Sequence, residues 1–192
     1  MGIRILRGAW TPVIFLHMLF HTGCAYLADN MATVEPGNFY RSGQIPNGRL
    51  GAVVRRHGIR TVINLRGAWP DEDWYHAEVA TCESLGVTHE DLAWSKDLLP
   101  EPESLAAFVR LVDEAERPIL VHCQGGVHRS AVASACYLLV NGATVKEARD
   151  EFGLFFNDAP IGRLLDLYEG SALPFSEWVA TVYPGKYAAA EP

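Results

Sequence analysis

The sequence lacks several features that would define its class at once. Only four of its 192 residues are cysteines, and they form no CxxC pair and no regular spacing. We therefore expect neither a zinc site nor a disulfide framework. Lys and Arg number 16 against 23 Asp and Glu, which gives a net charge of −7. An extended basic surface for nucleic acid is not expected from this balance.

Repeats and low-complexity tracts are also missing, and 192 residues suit one ordinary domain. The N-terminus differs from the rest, because Arg4 and Arg7 precede an apolar run from Val13 to Phe20. This layout predicts that residues 1–30 form a signal peptide or N-terminal membrane anchor, and that residues 31–192 form the domain. The domain would then lie on the outer, periplasmic side of a bacterial membrane. The alternative is a first core helix or an over-extended start site in a cytoplasmic protein.

Strand and helix signals alternate along the remaining chain. The segments "NFYRSGQ", "TVINLRG", "VTHEDLAW" and "PILVH" predict strands, while "NMATVEPGN" predicts a turn. Asp71 is predicted to cap a helix that runs through Ser84, and Thr144 with Glu147 forms a capping-box pattern. "GRLLDLYEG" and "FSEWVATVY" predict two further helices near the C-terminus. This alternation predicts an α/β fold with a mostly parallel central sheet flanked by helices. Binding sites in such folds lie outside the carboxyl ends of the strands.

The segment "HCQGGVHRS" follows the apolar strand "PILV" directly, so Cys123 stands at a carboxyl end. Gly125 and Gly126 let the backbone curl until its N–H groups form an anion-binding nest. The next helix adds its positive end, and Arg129 adds a planar fork of donors. Such a field lowers the pKa of a thiol, so a thiolate would face a phosphate cradle.

This arrangement suits attack of Cys123 on phosphorus and a cysteinyl-phosphate intermediate. Ser130 would donate a hydrogen bond to the sulfur when it leaves. The catalytic candidates from this loop are Cys123, Arg129 and Ser130. The residues expected to bind phosphate are Gln124, Gly125, Gly126, Val127, His128 and Arg129.

The same residues resemble a known signature. "HCQGGVHRS" is similar to the His-Cys-x5-Arg-Ser/Thr motif of the protein tyrosine phosphatase superfamily. With "NFYRSGQ" and "TVINLRG", the chain from Phe39 to Glu151 resembles compact dual-specificity-like phosphatases of bacteria, fungi and plants. The resemblance implies a three-layer sandwich of the cysteine-phosphatase type. It also implies hydrolysis of phosphomonoesters without a metal or other cofactor.

A leaving alkoxide or phenoxide needs a proton, so the site also needs an acid. The resemblance implies an aspartate on the loop after the preceding strand, and "DLAWSKDLLPEPES" offers several carboxylates there. Asp97 is the preferred candidate because it follows the predicted strand on a flexible connection. Asp91, which falls inside the strand, comes second, and Glu101 comes third. The alternative for each is a solvated loop charge.

The substrate is less constrained than the reaction. Relatives that cleave inositol pyrophosphates or lipids tend to carry a lysine within the loop, and this loop has none. Phosphotyrosine or phosphoserine/threonine proteins are therefore expected, with phosphoinositides, inositol phosphates or other small phosphomonoesters as the alternative. A rhodanese-like sulfurtransferase and a catalytically silent phosphate-binding module are further alternatives. A reversible disulfide between Cys123 and Cys82 or Cys136 is an additional hypothesis, and the oligomeric state is left open.

Overall fold

A computed structural model of the chain describes residues 29–46 and 48–190. Strands and helices alternate through the first part of this region, and helices follow after the loop at Cys123. The strands are β1 (Ala32–Glu35), β2 (Phe39–Ser42), β3 (Thr61–Asn64), β4 (Thr88–Asp91) and β5 (Ile119–His122). The helices are α1 (Leu50–His57), α2 (Asp73–Leu85), α3 (Pro102–Glu114), α4 (Arg129–Val140), α5 (Val145–Arg149), α6 (Arg163–Tyr168), α7 (Phe175–Thr181) and α8 (Tyr183–Ala190), and a 3₁₀ turn spans Pro160–Gly162.

The strands form one sheet in the order β1-β2-β5-β3-β4. All neighbours are parallel except β1, which pairs with β2 as an antiparallel edge strand. The register places Ser42, His122, Asn64 and Asp91 side by side in one row. The carboxyl ends of β2, β5, β3 and β4 therefore meet at one edge, immediately before Cys123. The predicted α/β fold with a mostly parallel sheet is confirmed.

Two hydrophobic clusters cover the two faces of the sheet. Alternate residues of β5 divide between them, because Val121 belongs to one cluster and Leu120 to the other. The larger cluster includes Phe108 of α3 and Trp178 of α7. The smaller one includes Leu50 of α1 and Cys82 of α2. Helices thus cover both faces, which is the three-layer arrangement that the sequence predicted.

Local boundaries differ from the predictions at three points. The segment "NMATVEPGN" was predicted as a turn, but it contains the four-residue strand β1. The turn itself is short and includes Gly37, whose φ is +77°. Asp71 does not cap α2, which begins at Asp73 with Glu72 at the N-cap and no side-chain cap hydrogen bond. The segment "FSEWVATVY" was predicted as one helix, but α7 ends at Thr181 and the last residue of the segment, Tyr183, begins α8. The capping box of Thr144 and Glu147 is confirmed.

The predicted signal peptide or anchor at residues 1–30 lies almost entirely outside the described residues. It stays a prediction of the sequence. Among the helices of residues 29–46 and 48–190, none has the length and apolar character needed to cross a bilayer.

Candidate active site

The loop between β5 and α4 forms a cradle because its carbonyl groups are bound on the outside. The carbonyl of Gln124 accepts from the backbone N–H of Gln44 at 3.0 Å. The carbonyls of Gly125 and Gly126 each accept from Asn30 Nδ2 at 2.9 Å. In a planar trans peptide the C=O and N–H point in opposite directions. The N–H groups of this loop therefore face inward.

Arg41 and the thiol confirm this orientation from the two sides of the loop. Arg41 Nη1 donates to the outward carbonyl of Gly126 at 2.8 Å, and Arg41 Nε pairs with Glu151 at 3.1 Å. On the inner side, the N–H of Gly126 donates to Cys123 Sγ at 3.2 Å. Arg41 is thus a structural residue that supports the loop from behind.

Gly126 is required by both its conformation and its surroundings. Its φ of +67° lies in the left-handed region, which disfavours side chains. A Cβ atom there would lie 2.4 Å from the backbone nitrogen of Gly43, which immediately follows β2. At Gly125 a Cβ atom would meet nothing within 4 Å. The predicted need for glycine is therefore concentrated at Gly126.

Cys123 is only 2% exposed, yet its environment favours the thiolate. Burial, the largest single influence, would raise the pKa of Cys123, and hydrogen bonds from the Ser130 N–H and hydroxyl act against it. The positive charge of Arg129 and the N–H of Gly126 act in the same direction, so the pKa lies below the ordinary value of a thiol. The hydroxyl oxygen of Ser130 lies 3.6 Å from Sγ. The structure therefore brings Cys123, Arg129 and Ser130 together.

The guanidinium of Arg129 is held by one of its nitrogens. Nη1 donates to the carbonyls of Leu65, after β3, and Trp94, after β4, at 3.2 and 3.3 Å. Nε and Nη2 have no hydrogen-bond partner among residues 29–46 and 48–190. Both nitrogens are therefore available to an oxyanion, and two neighbouring loops fix the plane of the fork.

A cavity of about 200 Å³ lies over the thiol. Five of the six residues predicted to bind phosphate line it, whereas Gly126 is buried within the loop and is absent from the lining. A residue that the loop sequence did not reveal is Lys96, which enters from the connection after β4. The absence of lysine from the loop therefore does not leave the cavity without one. The lining residues are Lys96, Cys123, Gln124, Gly125, Val127, His128 and Arg129.

The candidate acids differ in their surroundings. Asp97 is exposed on the connection after β4, where its Oδ1 accepts from Lys96 Nζ at 2.6 Å. Asp91, at the end of β4, accepts hydrogen bonds from Tyr75 and from Asn64 Nδ2. Both of its carboxylate oxygens therefore have protein partners. Glu101 is exposed at the N-cap of α3. Of the three, Asp97 is the one adjacent to a residue that lines the cavity.

Large apolar side chains are exposed on several loops. Among the described residues there are four, and each lies on a loop that follows a strand or a helix. Leu154 and Phe155 are 95% and 76% exposed, and they line a small cleft together with Gly126 and Val127. The other two are Trp69, on the loop after β3, and Leu98, next to Asp97. We call Trp69, Leu98, Leu154 and Phe155 the apolar rim.

The cysteines proposed as redox partners differ from Cys123 in the direction of their pKa shifts. Cys82 lies in the cluster on the other face of the sheet, and burial raises its pKa to about 12. Cys136 lies inside α4, where burial likewise raises its pKa. The cysteines at 82, 123 and 136 are free thiols. No observation supports a disulfide between them.

Several supporting residues carried no recognisable signal in the sequence. Asn30, Gln44 and Glu78 contact the loop or the strand before it, although they lie far away along the chain. A motif search cannot find them because their contacts depend on the sheet register. His, Cys, Asp and Glu side chains of the described residues form no group of three or more that could hold a metal ion.

Residues 21–160 match the family model described as "DSP-PTPase phosphatase fused to NAD+ Kinase". This match spans more than half of the chain, so the protein belongs to the DSP-PTPase phosphatase family. The resemblance to dual-specificity and tyrosine phosphatases is thereby confirmed.

Individual proteins agree with this assignment. A Mycosarcoma maydis protein that carries the name tyrosine-protein phosphatase OCA1 is 30% identical over 66% of this chain and 79% of its own length. P. aeruginosa TpbA, solved as a Cys-to-Ser variant with pTyr, has a TM-score of 0.58 at 23% identity over 80% of this chain and 92% of TpbA. The core catalytic domain of the PP-IP phosphatase SIW14 from S. cerevisiae has a TM-score of 0.54 at 17% identity over 84% and 92%. The two structural likenesses establish a shared fold.

The two glycines of the loop offer a matched test of the cradle. We expect Gly126→Ala to lower the free energy of unfolding by more than about 1–2 kcal/mol, the cost of left-handed backbone for a residue with a Cβ atom. The contact with Gly43 adds to that cost. Gly125→Ala is the control and should unfold like the wild type. Chemical denaturation of both variants measures the difference, and equal stabilities would contradict this account of the loop.

Proposed function

We propose that this phosphatase hydrolyses phosphomonoesters through a cysteinyl-phosphate intermediate on Cys123, and that its principal substrates are phosphorylated proteins. The observation that carries the proposal is the cradle. A thiol of lowered pKa lies beneath inward-facing N–H groups, beside the available donors of Arg129. These hydrogen-bond donors and the positive charge of Arg129 complement the negative charge of a phosphoryl group. Such positioned donors provide most of the stabilisation of that group during its transfer.

The first step transfers the phosphoryl group to sulfur. The thiolate of Cys123 attacks phosphorus as the bond from phosphorus to the leaving oxygen breaks. Arg129 and the backbone N–H groups bind the three remaining oxygens. Asp97 donates a proton to the leaving oxygen, for which the connection after β4 must turn its carboxyl group toward the cavity.

The second step returns the enzyme to its initial state. Water attacks the phosphorus of the cysteinyl phosphate, and Asp97, now ionised, accepts a proton from that water. The bond between phosphorus and sulfur breaks as inorganic phosphate forms. Ser130, whose hydroxyl lies 3.6 Å from Sγ, stabilises the departing thiolate by a hydrogen bond.

The apolar rim supports a protein substrate. Leu154 and Phe155 contribute exposed apolar surface beside Val127, which also lines the cavity. A small polar phosphate ester would leave this surface in water. A phosphorylated segment with apolar neighbours would bury it, at roughly 25 cal/mol for each Å² removed from water. The rim and the cradle together therefore suit a phosphoprotein.

A small, highly phosphorylated substrate is the second candidate, and Lys96 is the observation that favours it. Lys96 lines the cavity together with Arg129, and each additional phosphate requires a cation. Lys96 is paired with Asp97, which reduces the charge available for a second phosphate. Inositol phosphates therefore rank below phosphoproteins in this proposal.

We propose further that residues 1–30 export the domain or attach it to the membrane. Arg4, Arg7 and the apolar run from Val13 to Phe20 support this placement. A reporter enzyme that is active only outside the cytoplasm, fused at the C-terminus in a bacterial host, tests it. Activity of a cytoplasm-specific reporter at the same position would contradict it.

Replacement of the nucleophile separates binding from turnover. We expect Cys123→Ser to abolish hydrolysis of an aryl phosphate, since a hydroxyl in this cradle is a far weaker nucleophile than a thiolate. The variant should still bind inorganic phosphate, because the N–H groups and Arg129 are unchanged. Steady-state rates and calorimetric titration with phosphate measure the two properties. Full activity of Cys123→Ser would exclude the mechanism.

The general acid is tested by the dependence of rate on the leaving group. Asp97→Asn should lower kcat by about 10²-fold or more for an alkyl phosphate, the scale of general-acid assistance. The loss should be smaller for p-nitrophenyl phosphate, whose leaving group departs without a proton. Glu101→Gln is the control and should retain wild-type rates. An equal loss on both substrates in Asp97→Asn would contradict its role as the acid.

The substrate class is tested by the apolar rim. The double substitution Leu154→Ser and Phe155→Ser should lower kcat/KM for a phosphopeptide with apolar neighbours about 10-fold or more, as expected for losing one or two buried apolar side chains. The loss should exceed that for p-nitrophenyl phosphate and for an inositol phosphate measured in parallel. Equal losses on all three substrates would remove the support that the rim gives to a protein substrate.

A further inference from the structure

A buried carboxylate lies behind the nucleophile, on the face of the sheet opposite to α4. Glu78 of α2 is 5% exposed, and its Oε1 accepts from His122 Nε2 at 2.9 Å and from His89 Nε2 at 3.0 Å. Its Oε2 accepts from Gln44 Nε2 at 2.6 Å. Burial alone would raise the pKa of Glu78, but these hydrogen bonds and the charge interaction with His122 lower it to about 2, so the group is ionised.

These partners come from different strands that end at the active site. His122 ends β5, His89 lies in β4, and Gln44 follows β2. Gln44 continues the chain of contacts, because its Oε1 accepts from Arg66 Nη1 at 2.9 Å. The guanidinium of Arg66 stacks 3.7 Å from the ring of Trp74, back on α2. One carboxylate thus connects the ends of several strands around the cradle.

The ring of His122 is fixed from one side only. Its Nδ1 is buried without a hydrogen-bond partner among the described residues, and so is Oγ of its register neighbour Ser42. Among the described residues, only Nε2 of this ring therefore has a hydrogen-bond partner. Glu78 is therefore the group that determines the orientation of this ring.

The backbone of His122 leads directly to the catalytic groups. Its carbonyl accepts from the N–H of Leu65 at 2.9 Å, and the carbonyl of Leu65 accepts from Arg129 Nη1. The next residue is Cys123, whose N–H donates to the carbonyl of Ser42 at 3.3 Å. A shift of His122 would therefore displace the nucleophile and the oxyanion donor together.

We propose that Glu78 is a positioning residue whose carboxylate fixes the ring of His122 and, through it, holds Cys123 beneath the donors of the cradle. The proposal rests on the proposed function, because it assigns Glu78 a role in the reaction of Cys123. A contact that only joined α2 to the sheet could be apolar and would avoid the cost of burying a charge. The carboxylate gives what an apolar contact cannot, a fixed direction for two donors on separate strands.

Several charged or titratable groups lie around Glu78, and the test must separate their effects from its own. They come from the sheet and from α2 itself. They are His122 of β5, His89 of β4, Arg66 after β3, and Tyr75 and Cys82 of α2.

The decisive variant is Glu78→Gln, which keeps the shape and removes the charge. An amide cannot accept at both ends, so at least one of the hydrogen bonds from His122, His89 and Gln44 must break. The measurement is the rate of alkylation of Cys123 as a function of pH, followed by peptide mass spectrometry. If Cys123 moves away from its donors, the midpoint of this profile should rise by about one pH unit. Loss of the negative charge alone would move the midpoint down.

The sign of the shift therefore decides the question. A midpoint that falls or stays in place, in a folded Glu78→Gln protein, would overturn the proposal. Glu83→Gln on the exposed side of the same helix is the matched control and should leave the midpoint unchanged. The value of kcat for an aryl phosphate should fall on the order of 10²-fold in Glu78→Gln, as expected for a misplaced nucleophile.

A second pair of variants decides the matter if Glu78→Gln fails to fold. The amide nitrogen of His122→Gln can occupy the position of Nε2 and still donate to Glu78, whereas that of His122→Asn cannot reach it. We expect the midpoint to rise more in His122→Asn than in His122→Gln. Equal midpoints would contradict the proposal. Alkylation needs no substrate, so a wild-type protein that lacks turnover would refute the proposed function and still leave the role of Glu78 to be measured.

Discussion

The outward binding of three successive carbonyl groups determines the chemistry of this protein. Gln124, Gly125 and Gly126 direct their carbonyls to Gln44, Asn30 and Arg41, and their peptide planes then turn the N–H groups toward Cys123. Without these partners the glycines would allow many conformations, most of them without a cradle. The anion site therefore depends on β2 and the residues beside it as much as on the loop.

This arrangement explains how a chain of net charge −7 can bind a phosphoryl group. The positive potential is local, since it comes from peptide N–H groups, the start of α4 and Arg129 within one cavity. The two acidic residues Glu78 and Asp97 are each engaged with partners. Glu78 is bound by histidines on the far face of the sheet, and Asp97 is paired with Lys96. Net charge therefore predicts the absence of a broad basic surface, and it does not predict the potential of one site.

Much of the fold could be predicted from local patterns in the sequence. Alternating apolar runs and helical spacings located the four parallel strands, and Thr144 with Glu147 marked the start of α5. β1 was missed because a strand of four residues between turn signals has too little sequence to show a pattern. The prediction of Asp71 as the cap was wrong, because α2 begins at Asp73. The sequence does not distinguish a capping residue from a similar residue one or two positions away.

The site was predictable where its parts are adjacent in sequence, and only there. Cys123, Arg129 and Ser130 lie in one loop, so their spacing was informative. Glu78 reaches the site through the packing of α2 on the sheet, and Lys96 through the path of a loop, and no spacing in the sequence encodes either of these. The substrate inference from a loop without lysine was incomplete for this reason, because Lys96 enters from the connection after β4.

The central claim is that the phosphoryl group of the substrate is transferred to the sulfur of Cys123 before it is released as phosphate. The most direct measurement is to quench the Ser130→Ala variant with acid while it turns over an aryl phosphate, and to identify the phosphorylated peptide by mass spectrometry. Loss of the hydroxyl slows departure of the thiolate, so the intermediate should accumulate. The account predicts a phosphoryl group on Cys123. Turnover with no phosphorylated Cys123, or with the phosphoryl group on another residue, would contradict it.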